Sequence, residues 1–124
     1  MKTNSLKDDL IRQVWCLMGL PIDAVSMSET VEKVDSAIRE RKKLFLTTPN
    51  LNFVIGCRND EAFRNSVIQS DLVIADGMPL IWVAKLLNMP IRERVSGSNL
   101  FEKLLERNGI GKKYRIFYFG GQDD

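Results

Sequence analysis

The 124-residue sequence contains no histidine and only two cysteines. Without histidine, the chain lacks the usual general base of Ser-His and Cys-His catalysis and the commonest zinc ligand. Cys16 and Cys57 are too few to close a tetrahedral metal site, and both lie in apolar runs where a reduced thiol packs as a small hydrophobe. These absences exclude hydrolase triads, predict no metal and no cofactor, and favour a cytoplasmic protein.

The chain also lacks an excess of either charge and any long apolar run. Its 18 Lys and Arg residues are nearly balanced by 16 Asp and Glu residues, and no basic stripe carries interleaved aromatics, so we expect no nucleic-acid partner. The longest uncharged stretch, residues 44–57, is shorter than the roughly 18 apolar residues of a membrane span. Asp8 and Asp9 interrupt the place where a secretory signal needs its apolar core. The sequence therefore predicts neither a transmembrane helix nor a signal peptide.

Strands and helices alternate along the first half of the chain. Residues 14–22 form a short apolar run that predicts one buried strand. Ser26 and Glu29 have the spacing of a capping box and predict a helix to about Arg41. Residues 44–48 favour a strand that Pro49 ends, because proline cannot continue a central ladder.

The second half continues the alternation. Residues 72–75 are all apolar, which is typical of a strand buried on both faces of a parallel sheet. The remaining predicted elements are helices at 50–57, 60–69, 79–88 and 97–108, with Asp60 and Gly109 as caps and residues 62, 63 and 67 facing inward, and a last strand at 114–119. We expect the 79–88 helix to be covered on most sides. The pattern predicts an α/β fold with a Rossmann-like, mostly parallel sheet and flanking helices.

Polar residues follow two of the predicted strands. In a parallel sheet the carboxyl ends of the strands share one edge, where ligands bind, so we expect Thr48, Asn50 and Asp76 to share a site. Gly77 lets the backbone turn sharply and lets a ligand approach closely. Taken alone, each residue also has a simpler interpretation. Thr48 and Asn50 can cap the following helix, and Asp76 with Gly77 can form an ordinary turn.

A second candidate segment runs from Arg92 to Ser98. Its guanidinium groups precede a Ser- and Gly-rich loop that opens a helix, and such a loop favours an anion such as a diphosphate, with Arg94, Gly97 and Ser98 as contacts. The alternative is a solvated charge run followed by a helix cap. Gly120-Gly121 after the last strand resembles the start of another phosphate-binding turn, but two glycines alone are a weak signal.

Five short segments occur in a distinctive order: GLPID at 19–23, TPN at 48–50, DLVIADG at 71–77, IWVA at 81–84 and RERVSG at 92–97. In this order and spacing the chain resembles the WecG/TagA/CpsF family of bacterial glycosyltransferases, glycosyltransferase family 26. The resemblance covers nearly the whole chain.

The resemblance implies an inverting transfer from a UDP-sugar, best known as UDP-N-acetylmannosamine, to N-acetylglucosamine linked through diphosphate to a lipid. Such enzymes work peripherally at the inner face of the cell membrane, in the synthesis of wall teichoic acid or surface polysaccharide. By similarity, Asp76 is the catalytic base, Thr48 and Asn50 are the polar pair beside it, and Arg94 is the arginine of the Glu-Arg-Val motif.

The chain departs from the family in two respects. Asn99 replaces the usual aspartate of a Gly-x-Asp-Leu sequence. Family members are also much longer, so residues 1–124 are expected to be the N-terminal part of a truncated glycosyltransferase domain whose C-terminal half is absent. The alternative is a non-catalytic remnant that binds nucleotide sugar or oligomerises. Apolar surface near residues 79–89 predicts a homo-oligomer.

Overall fold

The computed structural model describes residues 12–109 and 114–121. Within these residues, strands and helices alternate after an initial hairpin. The strands are β1 (Val14–Leu17), β2 (Leu20–Asp23), β3 (Leu46–Thr47) and β4 (Leu72–Val73). The helices are α1 (Met27–Arg39), α2 (Leu51–Cys57), α3 (Glu61–Ile68), α4 (Met78–Leu86) and α5 (Gly97–Gly109).

The first apolar run forms a hairpin, so the prediction of a single strand over residues 14–22 is wrong. β1 and β2 pair antiparallel, with Leu17 opposite Leu20. The two residues between them, Met18 and Gly19, have positive φ angles of 52° and 85°. Two-residue hairpins use this conformation because its twist matches that of the flanking strands. The turn was hard to predict because a methionine occupies the first left-handed position.

β3 and β4 form the parallel part of the structure. They pair with Leu46 opposite Leu72 and Thr47 opposite Val73. The hydrogen bonds continue beyond the paired residues, because the Ile74 N–H donates to the Thr47 carbonyl at 3.0 Å and the Asp76 N–H donates to the Pro49 carbonyl at 2.9 Å. The carboxyl ends of both strands therefore lie side by side, as predicted.

The other edge of β4 is bonded differently. The Val73 N–H donates to the buried carboxylate of Asp23 at 2.7 Å, and the Val95 N–H donates to the Ala75 carbonyl at 3.0 Å. The mixture of helices and small sheets is compatible with the predicted α/β class, but parallel pairing among the described residues involves two strands and the hairpin is antiparallel. The predicted, mostly parallel Rossmann-like sheet is thus only partly present.

Residues 72–75 divide the core into two clusters, one on each face of β4. Val73 and Ala75 pack with the hairpin and with helices α2, α3 and α4. Leu72 and Ile74 pack with Val31, Val95 and Leu100. All four residues of this stretch are buried, which confirms the prediction of a strand covered on both faces.

Three helices begin at the predicted polar residues. Ser26, Asn50 and Asp60 each accept, through a side-chain oxygen, the N–H of the residue three positions later, at 3.1, 2.8 and 2.9 Å. Helix α1 ends at Arg39, two residues earlier than predicted, and Arg41 adopts a left-handed φ of 53°.

Three predictions of burial are wrong. On α3, Val67 is buried but Ala62 and Phe63 are exposed. Helix α4 is not covered on most sides, because Trp82 and Leu86 are 62% and 82% exposed. Cys16 lies exposed on the hairpin, whereas Cys57 is buried, and burial raises the pKa of its thiol.

The predicted strand at residues 114–119 is also absent. This segment carries no strand pairing among the described residues, and Phe117 and Phe119 are almost fully exposed. It contacts the remainder of the structure through Tyr114, which donates a hydrogen bond to Asp35, and through Tyr118, whose ring lies 5.7 Å from that of Phe101. Strand propensity alone does not form a strand without a neighbouring edge to pair with.

Candidate active site

Asp76 lies at the carboxyl end of the β4 segment, at the edge where ligands bind in α/β folds. Its side chain is 28% exposed. One carboxylate oxygen, Oδ2, accepts the Gly97 N–H at 3.4 Å, and the other, Oδ1, lies 3.8 Å from Nε of Arg94. The carboxylate is therefore oriented by two weak contacts and stays accessible to a ligand.

Both contacts place positive charge beside the carboxylate. Gly97 is the first residue of α5, and the N-terminus of a helix carries partial positive charge. Arg94 is half exposed, so its attraction to Asp76 is screened by solvent and adds little to stability. A guanidinium that is weakly held in this way can also contact an anionic ligand.

Thr48 lies against the start of α5. A Cβ atom added to Gly97 would lie 3.4 Å from Cγ2 and 3.5 Å from Oγ1 of Thr48. These distances are ordinary van der Waals contacts, so the loop after β3 and the first turn of α5 lie against each other. Thr48 therefore shares the edge of the sheet with Asp76, as its position after β3 predicts.

Asn50 and Gly77 form the other side of the site. Gly77 has φ 122° and ψ 141°, and a Cβ added there would lie 3.9 Å from Cβ of Asn50. The side-chain oxygen Oδ1 of Asn50 accepts the Phe53 N–H and caps α2, which confirms the capping interpretation. The N–H groups of the same side-chain amide are then the donors that Asn50 can offer a ligand. Helix α4 begins directly after Gly77 without a side-chain cap.

The segment from Arg92 to Ser98 contributes one further polar group and a link to α1. Ser98 is exposed in the first turn of α5, with its hydroxyl 2.8 Å from that of Ser96. Glu93 Oε1 accepts the N–H of Met27, the first residue of α1, at 3.1 Å. Arg92 is exposed, so the interpretation as a solvated charge run describes Arg92 but not Glu93.

The structure brings Thr48, Asn50, Asp76, Gly77 and the 94–98 segment to one edge. Gly120 and Gly121 are outside this group: apart from their chain neighbours, no atom of the described residues lies within 4 Å of a Cβ built on either. No cluster of three or more Cys, Asp or Glu side chains suited to a metal occurs in the part of the chain that the structure describes. Among the same residues, no helix is long and apolar enough to cross a membrane.

Sequence reasoning missed two acidic residues that hold the site's framework. Asp23 is buried and accepts the Val73 N–H, which fixes the hairpin beside β4. Glu93 connects the segment that carries Arg94 to α1. Asp23 belongs to the GLPID segment, and an acid directly after an apolar strand is the signal that could have identified it.

The fold and this edge define an α/β domain with a candidate ligand site at the carboxyl ends of its strands. The sequence profile of the glycosyl transferase WecG/TagA/CpsF family matches residues 15–124, and the chain belongs to this family.

Two curated relatives are both named N-acetylglucosaminyldiphosphoundecaprenol N-acetyl-β-D-mannosaminyltransferase. The protein from Bacillus spizizenii (strain W23) is 27% identical over 81 residues, which cover 65% of this chain and 31% of the relative. The protein from Staphylococcus aureus (strain NCTC 8325) is 22% identical over 110 residues, which cover 87% of this chain and 43% of the relative. The chain thus spans less than half the length of either relative.

Proposed function

We propose that this chain supplies the base-bearing part of an inverting glycosyltransferase. The reaction moves N-acetylmannosamine or a related sugar from a UDP-sugar to N-acetylglucosamine linked to undecaprenyl diphosphate, in teichoic acid or surface polysaccharide synthesis. The observation that carries the proposal is the accessible Asp76 carboxylate, which contacts the Gly97 N–H and lies near Arg94. Family membership and the names of the two relatives support the substrates.

In the proposed mechanism, Asp76 accepts the proton of the attacking acceptor hydroxyl. The hydroxyl oxygen forms a bond to the anomeric carbon while the bond from that carbon to UDP breaks, and UDP departs with the electron pair. A single displacement of this kind inverts the anomeric centre. The Gly97 N–H orients the base.

The leaving diphosphate needs positive or N–H donors on the opposite side of the sugar. The Arg94 guanidinium, which is half exposed and can turn from Asp76 toward a ligand, and Ser98 in the first turn of α5 are the candidates, since a guanidinium and a helix N-terminus both favour phosphate. Thr48 and Asn50 would donate to sugar oxygens, and Gly77 would admit the substrate close to the backbone. None of these roles needs a metal or a cofactor.

The test measures acceptor-dependent UDP release with UDP-N-acetylmannosamine and a water-soluble, short-chain analogue of the acceptor. The 124-residue chain is assayed alone and fused to the part of the Staphylococcus aureus relative beyond the matched region. In the active form, Asp76→Asn should lower turnover by roughly 10²- to 10⁴-fold while the fold and UDP binding persist, because only the proton acceptor is lost.

Asp60→Asn is the matched control, because asparagine caps a helix as well as aspartate does and Asp60 lies at the start of α3. This variant should keep the parent turnover. A folded Asp76→Asn protein with near-parent UDP release would exclude Asp76 as the base. UDP-sugar binding without turnover in either form would instead identify the non-catalytic binding module.

A further inference from the structure

One face of α4 is apolar and exposed, and it begins beside the candidate active site. Met78, Trp82 and Leu86 recur every four residues and are 42%, 62% and 82% exposed. Residues on this spacing share one helix face, which extends over about 12 Å at 1.5 Å per residue. The opposite face, with Leu80 and Ala84, is buried in the core. We call the exposed face the α4 stripe.

The α4 stripe is bordered by cations. Lys85, the one charged residue of α4, is exposed and lies on the same side of the helix. Lys85 and Arg92 both line a groove of about 470 Å³ whose apolar lining includes Ile81 and Ile91. Glu93, the acid next to Arg92, is bonded to the N–H of Met27.

We infer that the α4 stripe is the surface by which this chain binds a phospholipid membrane carrying anionic headgroups. A tryptophan with a methionine and a leucine on the same helix face suits the boundary between headgroups and acyl chains, and flanking Lys and Arg side chains attract lipid phosphates. Here the apolar and cationic groups occur together on one face, so a lipid surface matches both, whereas a purely apolar partner would leave Lys85 and Arg92 unmatched.

The α4 stripe lies next to the candidate active site, and its role there rests on the proposed function. Met78 is two residues from Asp76 and follows Gly77 directly. In a lipid-linked acceptor, one sugar separates the attacking hydroxyl from the diphosphate that carries the lipid. With that hydroxyl placed beside Asp76, the lipid chain must therefore extend from a point only one sugar away from Asp76. Membrane contact along α4 would keep the active site at the depth where a lipid-linked sugar is presented.

The test uses the intrinsic fluorescence of the 124-residue chain, which has two tryptophans, Trp15 and Trp82. In a Trp15→Phe variant, vesicles of phosphatidylcholine with phosphatidylglycerol should shift the Trp82 emission to the blue, and brominated lipids should quench it. In the converse Trp82→Phe variant, the Trp15 emission should not move. Vesicles of phosphatidylcholine alone should bind more weakly, because the cations then lack an anionic partner.

Matched substitutions measure the contributions of the two kinds of group by vesicle flotation. Leu86→Ser should weaken binding about tenfold, since a leucine no longer enters the interface, whereas Ile55→Ser at an exposed site on α2 should not. Lys85→Gln should weaken binding to anionic vesicles roughly fivefold, and Lys33→Gln on α1 should have no effect. Circular dichroism checks that each variant is folded.

Three results would overturn the inference. The first is the absence of flotation with anionic vesicles, and the second is flotation that Leu86→Ser leaves unchanged. The third is a Trp82 blue shift that appears without vesicles when the protein concentration rises and the molecular mass of the protein in solution doubles. The last result would mean that a second copy covers the α4 stripe. Because vesicle binding is measured without sugar substrates, it can fail while Asp76-dependent UDP release from the water-soluble acceptor succeeds, and the reverse also holds.

Discussion

At the scale of single residues, Asp23 shows how one buried carboxylate fixes the framework beneath the site. It is 2% exposed and accepts hydrogen bonds from Nε and Nη2 of Arg12 at 2.7 and 2.8 Å. It also accepts the Val73 N–H at 2.7 Å. These donors offset the cost of burying the charge, and they connect the hairpin to the central strand.

Removing this carboxylate should destabilise the chain strongly. Asp23→Ala removes both hydrogen bonds that Arg12 donates to this carboxylate and leaves the buried Val73 N–H without its acceptor, so the free energy of unfolding should fall by about 3 kcal/mol. Asp60→Ala, which removes only a helix cap, should cost about 1 kcal/mol. Urea unfolding curves of both variants give the comparison. If Asp23→Ala lowers the free energy of unfolding no more than Asp60→Ala does, the buried contacts of Asp23 contribute no more stability than an exposed helix cap.

At the scale of elements, Gly77 determines how β4 is connected to α4. Its φ of 122° is available to glycine at little cost, while a side chain there is strained. Gly77→Ala should therefore lower the free energy of unfolding by roughly 1 to 3 kcal/mol. Gly56→Ala within α2, where a Cβ would meet no described atom within 4 Å beyond its chain neighbours and the backbone of its own helix, should instead raise it by about 0.5 to 1 kcal/mol. Thermal unfolding checks the opposite signs, and equal shifts in one direction would contradict the argument.

The elements also show which parts of the fold the sequence could predict. The buried stretch 72–75 and the caps Ser26, Asn50 and Asp60 were predictable because each depends on a pattern within a few residues. The grouping of Thr48, Asn50 and Asp76 followed from the shared edge of parallel strands. The hairpin at Met18 and the lack of pairing of residues 114–119 among the described residues were not predictable, since the first depends on one uncommon backbone conformation and strand pairing depends on a neighbouring edge that no local pattern reveals.

The contact between Asp76 and the 94–97 segment needed more than a local pattern. It forms because the chain returns beside β4 after α4, where the Val95 N–H donates to the Ala75 carbonyl. Asp76 meets Arg94 and Gly97, which are 18 and 21 positions later in the sequence, through that return. Motif order suggested that both segments belong to one site, but only the structure relates the carboxylate to Arg94 and Gly97.

At the scale of the whole molecule, a polar cluster joins α1, α5 and the 114–121 segment on one side of the sheet. Asp35 of α1 is fully buried and lies 3.1 Å from Nε of Arg39 and 3.0 Å from Nη1 of Arg107. Arg107 also pairs with Glu32, and Tyr114 donates its hydroxyl hydrogen bond to Asp35. The cluster holds α5, whose first turn contacts Asp76, against α1.

The Tyr114 phenol makes this cluster sensitive to alkaline pH. Partial burial and the hydrogen bond to Asp35 raise the pKa of Tyr114 above its ordinary value of 10.0. The folded state therefore holds the phenol proton more tightly than the unfolded state does. The stability that Tyr114 contributes is fully present below about pH 10 and is lost as pH rises through the folded-state pKa.

Tyr114→Phe should reveal this contribution in two ways. Near neutral pH it should lower the free energy of unfolding by about 1 kcal/mol, because the hydrogen bond to Asp35 is lost. Above pH 10 the difference in unfolding free energy between the variant and the parent should shrink. The unfolded parent then loses the Tyr114 proton while the folded parent still retains it, which favours unfolding of the parent only. Tyr118→Phe, at a largely exposed ring, should leave the free energy of unfolding near neutral pH close to that of the parent. Urea midpoints across this pH range are the measurement, and a Tyr114→Phe protein that stays below the parent by a constant amount would show that the proton of Tyr114 is not linked to folding.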